Sequence, residues 1–228
     1  MKRSKRYAEM MKKFDRSKSY KVDEALKLLK EVSTAKFNQT VNLTIKLGVD
    51  PKKSEQAVRG LLMLPHGIGK TRVVAVVTKG DKLKEAKESG ADLSGYTELI
   101  EDIGSSKAKF DVLIATPDVM KDLGKLAKML GPKGLMPNPK AGTVTFELAE
   151  AIKRIKAGEM SFRNNDSGII NFNVGKLSFD ETKLKENIDT AIDTIIKAKP
   201  VSAKGQYLKG IILASTMGPG IKIVLPKN

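Results

Sequence analysis

Residues 41–47 alternate between apolar and polar side chains. Apolar side chains occupy every second position: Val41, Leu43, Ile45 and Leu47. Polar side chains occupy the positions between them: Asn42, Thr44 and Lys46. Because successive side chains of a strand point to opposite faces, this period predicts an antiparallel strand with one buried and one wet face.

The same alternating style occurs near both ends of the chain. It predicts strands over residues 59–65, 161–163, 169–174, 207–216 and 221–225. Apolar residues at helical spacing predict helices over 3–14, from Asp23 to Val32, and over 180–199, where Pro200 ends the last one. The segment 217–220 reads as a tight connection of hairpin type between the last two strands.

The middle of the chain follows a different pattern. Residues 72–78 contain five consecutive apolar residues, and 110–116 are similar, as expected of strands covered on both faces. Helices are predicted over 81–89, 97–103, from Pro117 to Gly131 and around 148–155, with a brief strand over 91–93. Strands that alternate with helices predict right-handed crossovers and a parallel sheet.

This change of pattern predicts two domains. The terminal segments, 1–67 and 159–228, are each of marginal size for a core of their own, and together they are large enough. We therefore expect a discontinuous α+β domain, an antiparallel sheet with helices built from both termini. An inserted α/β, Rossmann-like three-layer domain of residues 68–158 interrupts it, with hinges near 65–69 and 157–158.

Charge indicates the class of partner. The net charge is +16, to which the terminal segments contribute +12 and the middle segment +4. A basic surface of this kind attracts nucleic acid through counterion release, and no strongly apolar, aromatic helix face argues for a membrane instead. The absence of cysteine agrees with a cytosolic location, and neither a secretory signal nor a transmembrane run is expected.

Candidate catalytic chemistry is sparse. Residues 67–71, Gly-Ile-Gly-Lys-Thr, resemble the end of a phosphate-binding loop, but Leu64 stands where the first glycine belongs and a strand is predicted next. The glycine pattern of a dinucleotide fold is also missing, since only Gly80 follows the first parallel strand. His66 is the only histidine, so no histidine cluster can bind a metal. No cofactor is expected.

Several motifs in order along the chain carry a family resemblance. They are Thr34–Phe37, Pro65-His66-Gly67 with Gly69-Lys70, Ala115–Asp118, the glycine- and proline-rich segment 131–144, Phe162–Asn164, and Ser215–Pro219. In these motifs, which span nearly the full length, the chain resembles the ribosomal protein L-one family. Segment 131–144 is the most specific; its residues alone read either as a linker or as a rigid, packed loop that brings lysines to phosphates.

The resemblance implies a non-enzymatic protein of the ribosome, in the cytoplasm, on the mobile stalk of the large subunit. Its expected partners are large-subunit rRNA, the mRNA of its own operon, whose translation it represses, and the deacylated tRNA at the exit site, whose release it assists. Off the ribosome it is expected to be a monomer. The RNA-binding residues carried over are Lys36, Phe37, Thr216, Met217 and Gly218, with Thr40, Arg163 and Ser215 as further candidates.

Two alternatives remain open at this point. A nucleotide-dependent enzyme would use the inserted α/β domain, and a general nucleic-acid chaperone would bind RNA regardless of its fold. Taken alone, Phe37 is better explained as a plug of the core at the sheet edge, whereas the resemblance predicts that it contacts RNA. With aromatic residues at 5%, recognition of RNA shape is expected rather than stacking of bases on a sheet.

Overall fold

A computed structural model describes residues 4–51, 53–80, 82–105, 107–203 and 205–226. The described residues form two compact units. Those within 1–69 and 160–228 make up the first, here named the terminal unit, and those within 70–159 the second, here named the central unit.

The chain contains strands and helices in a mixed α/β arrangement, as predicted. The strands of the described residues are β1 (Thr40–Leu47), β2 (Arg59–Met63), β3 (Val74–Val77), β4 (Leu93–Gly95), β5 (Val112–Ala115), β6 (Glu159–Arg163), β7 (Ile169–Lys176), β8 (Leu208–Ser215) and β9 (Gly220–Ile223). The α-helices are α1 (Lys5–Lys12), α2 (Val22–Val32), α3 (Lys82–Glu88), α4 (Thr97–Gly104), α5 (Met120–Leu123), α6 (Ala127–Leu130), α7 (Leu148–Lys156) and α8 (Glu181–Lys197).

The terminal unit is organised around a four-stranded antiparallel sheet of order β7-β1-β8-β9. The odd-numbered apolar residues of β1 are buried, and its even-numbered residues are partly or fully exposed, so the predicted alternation is confirmed. Helices α2 and α8 contribute their apolar stripes to the core beneath the buried face. The opposite face of the sheet keeps its polar side chains. Strands β2 and β6 form a separate two-stranded sheet.

A buried amide in α8 holds the loop that follows β2. Asn187 is fully buried, and its Nδ2 donates to the carbonyl oxygens of Val174 at 2.7 Å and Gly67 at 3.0 Å. Its Oδ1 accepts a hydrogen bond from the backbone N–H of His66 at 3.1 Å. The loop 64–69 is therefore tied to both the sheet and α8 within the terminal unit.

The central unit contains a parallel sheet of order β4-β3-β5. All four residues of β3 are buried: Ala75 and Val77 pack in one core cluster, with residues of α4 and α5. Val74 and Val76 pack in another, with residues of α3 and α7. Helices thus cover both faces of the sheet, as the continuous apolar run predicted.

Two predicted elements differ from those observed. The brief strand lies at Leu93–Gly95 rather than 91–93, and just before it the Asp92 carboxylate accepts a hydrogen bond from the backbone N–H of Val74 at 2.8 Å. The helix after Pro117 is broken into short α and 3₁₀ pieces. As predicted, residues 67–71 lead into a strand, β3, without an intervening helix, so they lack the helix N-terminus that a phosphate loop uses.

Candidate nucleic-acid interface

Two segments far apart in sequence meet at the beginning of β1. Thr216, directly after β8, donates its backbone N–H to the carbonyl oxygen of Thr40 at 3.1 Å. The Thr216 hydroxyl accepts a hydrogen bond from the Thr40 N–H at 3.1 Å and lies 3.2 Å from the Thr40 carbonyl oxygen. The structure therefore brings the two predicted threonines into direct contact.

The loop between β8 and β9 is a tight turn shaped by two of the predicted residues. The N–H of Gly218 donates to the carbonyl oxygen of Ser215 at 3.0 Å. A Cβ atom at position 218 would collide with the Oγ of Ser215, which is itself only 3% exposed. Ser215 and Gly218 therefore define the turn, and they leave Thr216 and Met217 at its exposed tip.

Gln39 holds this turn next to the segment before β1 through hydrogen bonds. Its side chain is 1% exposed, and its Oε1 accepts a hydrogen bond from the N–H of Met217 at 3.0 Å. Its Nε2 donates to the Ser33 hydroxyl at the end of α2, and its carbonyl oxygen accepts from the N–H of Leu177 at 2.8 Å. Sequence reasoning missed Gln39, because nothing in the local pattern marks this glutamine as buried.

Two large apolar side chains stand out from this surface. Phe37 is 53% exposed and Met217 is 48% exposed. Phe37 lies two residues before Gln39, a separation of at most about 7 Å along extended backbone. Gln39 is the residue that accepts the hydrogen bond from Met217, so Phe37 lies near Met217. The interpretation of Phe37 as a plug of the core is therefore wrong. Lys36 beside it is also exposed.

Two further cations reach the same place. Arg6 of α1 donates from Nη2 to the carbonyl oxygen of Met217 at 3.4 Å, and Lys176 at the end of β7 donates from Nζ to the Thr40 hydroxyl at 2.9 Å. The basic character of residues 1–21 is a signal that could have indicated Arg6, but only the pairing of Thr40 with Lys176 reveals the second cation. We name the group Lys36, Phe37, Thr40, Thr216 and Met217, with these two cations, the strand-end surface.

Arg163 does not belong to this group. It ends β6, and the turn that follows it leads into β7, whose first residue pairs with Lys46 near the far end of β1. At that end the N–H of Leu47 donates to the carbonyl oxygen of Gly168 at 2.8 Å. From Lys46 to Thr40, β1 spans about 20 Å, so the strand that follows Arg163 begins near the end of β1 opposite the strand-end surface.

Among the residues that the structure describes, no helix is both long and apolar enough to cross a membrane. The same described residues contain no group of three or more histidine, cysteine or carboxylate side chains arranged to hold a metal ion. Neither observation changes the character of the strand-end surface, which combines exposed apolar side chains with hydroxyl and cationic groups.

Comparison with known proteins agrees with the motifs. The model of the ribosomal protein L1p/L10e family matches residues 29–219. A protein of Kosmotoga olearia named large ribosomal subunit protein uL1 is 52% identical over 222 residues, which cover 97% of this chain and 96% of that protein. A protein of the same name from Protochlamydia amoebophila is 51% identical over 225 residues, covering 99% of this chain and 95% of that one.

These relatives are ribosomal proteins, a structural family without enzymatic activity, so the alternative of a nucleotide-dependent enzyme is excluded. The agreement extends over almost the whole length of both relatives. The chain belongs to the ribosomal protein L1p/L10e family.

Proposed function

We propose that this chain is a structural protein of the large ribosomal subunit that binds rRNA of the mobile stalk through the strand-end surface. One observation carries the proposal: Phe37 and Met217 are about half exposed, yet hydrogen bonds hold together the segments that bear them, including one from the Met217 N–H to the buried side chain of Gln39. Large apolar side chains presented on a rigid frame beside cations suit a folded partner of matching shape.

The chemistry of the surface favours recognition of RNA shape. The wide minor groove of an RNA helix exposes ribose 2′-hydroxyls, which both donate and accept hydrogen bonds, as the Thr216 hydroxyl does. Phe37 and Met217 supply apolar contact with sugars and unstacked bases. Lysines and arginines add a salt-dependent term, in which each phosphate contact contributes about 0.7–0.9 to the slope of log K against log salt.

In this proposal the two compact units are the two domains expected from the sequence. The terminal unit is the rRNA-binding domain, because it carries the strand-end surface and the larger share of the positive charge. The central unit is the inserted domain and makes weaker contacts with rRNA or passing tRNA. The family resemblance is the support for this division of labour.

The resemblance also supplies the finer parts of the proposal. On the ribosome, in the cytoplasm, the protein assists release of deacylated tRNA from the exit site. Off the ribosome it is a monomer that binds a site on its own operon mRNA and represses translation. A single surface that reads RNA shape can serve both RNAs if the mRNA site repeats the fold of the rRNA site.

The test is a binding titration of the full chain with a stalk rRNA fragment at raised salt. We expect Met217→Ala to weaken binding about tenfold, and Thr216→Val about fivefold, since each removes contacts of the size of one hydrogen bond or one buried side chain. Met217→Ala should leave the melting temperature nearly unchanged, because its side chain is exposed. Thr216→Val also removes the hydroxyl that accepts a hydrogen bond from the Thr40 N–H, so it should lower the melting temperature slightly. Met63→Ala is the matched control, a methionine that is 56% exposed on β2.

Equal affinity of Met217→Ala and the unchanged protein would remove this residue from the binding site. A scrambled hairpin of the same length tests the remaining alternative. If it binds as tightly as the stalk fragment, the protein is a general RNA chaperone and recognition of a folded site is rejected.

A further inference from the structure

The polar face of the four-stranded sheet continues directly from the strand-end surface. Backbone pairing aligns its residues in rows that run across the strands. The first row is Asn173–Asn42–Ala214–Gly220, the second is Asn171–Thr44–Ile212–Lys222, and the third is Ile169–Lys46–Gly210. Thr40 belongs to the same side of β1 and pairs with Lys176, so the strand-end surface is the next row of this face. We name these three rows the open face.

The open face carries no acidic residue. Its charged side chains are Lys222 in the second row and Lys46 in the third, and both are exposed. Its one exposed large apolar side chain is Ile212, at 37%. This composition differs from the core of a protein interface, where aromatic residues and methionine are concentrated. It suits an anionic and strongly hydrated partner.

The amides and the hydroxyl of this face have hydrogen-bonding capacity that the protein does not use. Within the described residues, the side chains of Asn42, Thr44, Asn171 and Asn173 make no hydrogen bond to the rest of the chain. The four lie together, since Asn42 is paired with Asn173 and Thr44 with Asn171. Each of them can both donate and accept hydrogen bonds, like the 2′-hydroxyl of a ribose.

The open face is also flat and accessible, because several of its side chains are short. Glycine and alanine occupy positions 210 and 214 of β8 and position 220 at the start of β9, so the side chains there are short. A Cβ atom built on Gly210 would meet no described atom within 4 Å, which shows that the space above that residue is open. Four strands span about 14 Å, comparable to the wide, shallow minor groove of an RNA helix.

We propose that the open face lies along the minor groove of an RNA helix and hydrogen-bonds to its 2′-hydroxyls through Asn42, Thr44, Asn171 and Asn173. This inference rests on the proposed function and extends its site from the strand-end surface to the sheet. Lys46 and Lys222 bind phosphates at the margins. The occupant is a helix and not a single strand, since the open face has no aromatic side chain on which bases could stack.

The experiment uses the full chain and the stalk rRNA fragment, with Asn171→Asp and Asn173→Asp as single variants. Both side chains are exposed, so the fold tolerates the change, while a carboxylate loses the amide donor and repels phosphates. We expect each variant to weaken binding about tenfold or more, the scale of a lost hydrogen bond plus repulsion. Gln206→Glu is the matched control: the same amide-to-acid change, exposed, outside the three rows, and expected to stay within about twofold.

A second measurement asks whether 2′-hydroxyls are the groups read. Replacing ribose by deoxyribose in the helical part of the fragment should weaken binding of the unchanged protein about tenfold. The same replacement should weaken binding of a Thr44→Val, Asn171→Ala double variant by a clearly smaller factor, because that variant has already lost two of the side chains that hydrogen-bond to the 2′-hydroxyls. Equal losses for both proteins would overturn the assignment to 2′-hydroxyls.

The outcomes separate this inference from the proposed function. If Met217→Ala weakens binding and the open-face variants bind like the unchanged protein, the rRNA site ends at the strand-end surface and the inference is wrong. If the unchanged protein does not prefer the stalk fragment to a scrambled hairpin, the proposed function itself fails and the inference fails with it.

Discussion

The two sheets of this protein differ in how much of their surface they leave free for a partner. In the terminal unit, β1 buries every second residue, and the sheet keeps one polar face. In the central unit, every residue of β3 is buried, and helices cover both faces of the sheet. An antiparallel sheet joined by hairpins and long returns can leave a face for a partner, whereas the crossover helices of a parallel sheet occupy both faces.

Charge follows the same division. The terminal segments carry +12 of the net charge of +16, and they also contain the strand-end surface. A helix-covered sheet can bind a partner only at its edges and through its loops, so the central unit has no equivalent of the open face. The comparison teaches that the alternating strands, not the more hydrophobic ones, mark the part of the chain suited to a large partner.

The strongest way to break this comparison is to place asparagine at neighbouring positions of both sheets. In β3, Val76→Asn and Val77→Asn should each destabilise the central unit by about 3 kcal/mol or more, because both side chains are buried and the amide would lack partners. In β1, Ile45→Asn should cost a similar amount and Thr44→Asn less than about 0.5 kcal/mol. Amide hydrogen exchange, followed separately for each unit, measures the effects.

The comparison would be rejected if one of the two β3 variants were harmless. That result would show that one face of the central sheet is open after all. A large effect of Thr44→Asn would likewise show that the open face of the terminal sheet is covered.

A second prediction concerns the amide that ties the 64–69 loop to α8. Asn187→Leu removes three hydrogen bonds to buried or partly buried backbone groups. We expect a loss of about 3 kcal/mol in the terminal unit, since each abandoned backbone group costs about 1 kcal/mol or more. Urea unfolding measures the change, with β3 amide exchange as the readout of the central unit. Thr190→Ala, on the same helix with only a local bond to Glu186, is the control and should cost little.

A third prediction separates the frame of the strand-end surface from its contact residues. Gln39→Leu removes the acceptor of the Met217 N–H and should cost about 1–2 kcal/mol of stability. It should also weaken rRNA binding about five- to tenfold, although the side chain is buried and cannot reach RNA. Gln56→Leu is the control, since the Gln56 side chain accepts a hydrogen bond from the Asp50 N–H, beyond the end of β1 that is far from the strand-end surface. That variant should lose stability while its rRNA affinity stays unchanged.

The smallest expected effect is a difference between the units in acid. The hydrogen bond from Lys70 lowers the pKa of Asp111, and the hydrogen bond from the Val74 N–H lowers the pKa of Asp92, both in the central unit. A lowered pKa stabilises the folded state above the unfolded value of about 3.9, and that contribution is lost as the pH falls through the folded value. In the terminal unit, hydrogen bonds from Ser17 lower the pKa of Asp15, but burial raises the pKa of Asp189, which acts in the opposite direction and offsets it.

Acidification from about pH 5 to pH 3 should therefore destabilise the central unit more than the terminal unit. Amide exchange or thermal melting at several pH values measures the difference. Asp111→Asn and Asp92→Asn should reduce the acid sensitivity of the central unit, and equal sensitivity of the variants and the unchanged protein would contradict the assignment.

Much of the fold was predictable because the burial of a strand or helix face determines the pattern of apolar and polar residues in the local sequence. The alternation over 41–47 and the apolar run over 72–78 were enough to distinguish a sheet with one wet face from a sheet covered on both. Boundaries were less predictable. The single helix predicted after Pro117 is a series of short pieces in the structure, and the brief strand lies at Leu93–Gly95 rather than 91–93. The ends of such elements depend on capping and turn hydrogen bonds, which the periodicity of the sequence does not show.

The candidate site divides in the same way. Motifs in the chain indicated Lys36, Phe37 and the turn at 215–218. Only the pairing of β1 with β7 and β8 brought Thr40 next to Thr216 and Lys176. The same pairing places the start of β7, which follows Arg163, near the opposite end of β1. The buried amide of Gln39 and the reach of Arg6 were equally hidden.

The physical reason is the range of the interactions. Side-chain periodicity reflects which face of an element meets the core, and neighbouring residues are enough to reveal it. The strand-end surface depends on hydrogen bonds between residues as many as 211 positions apart, such as Arg6 and Met217, which form only when the whole terminal unit has folded. The sequence alone therefore determined the order of the elements and the face that each one buries. Only the tertiary structure brought together the distant residues of the candidate binding surface.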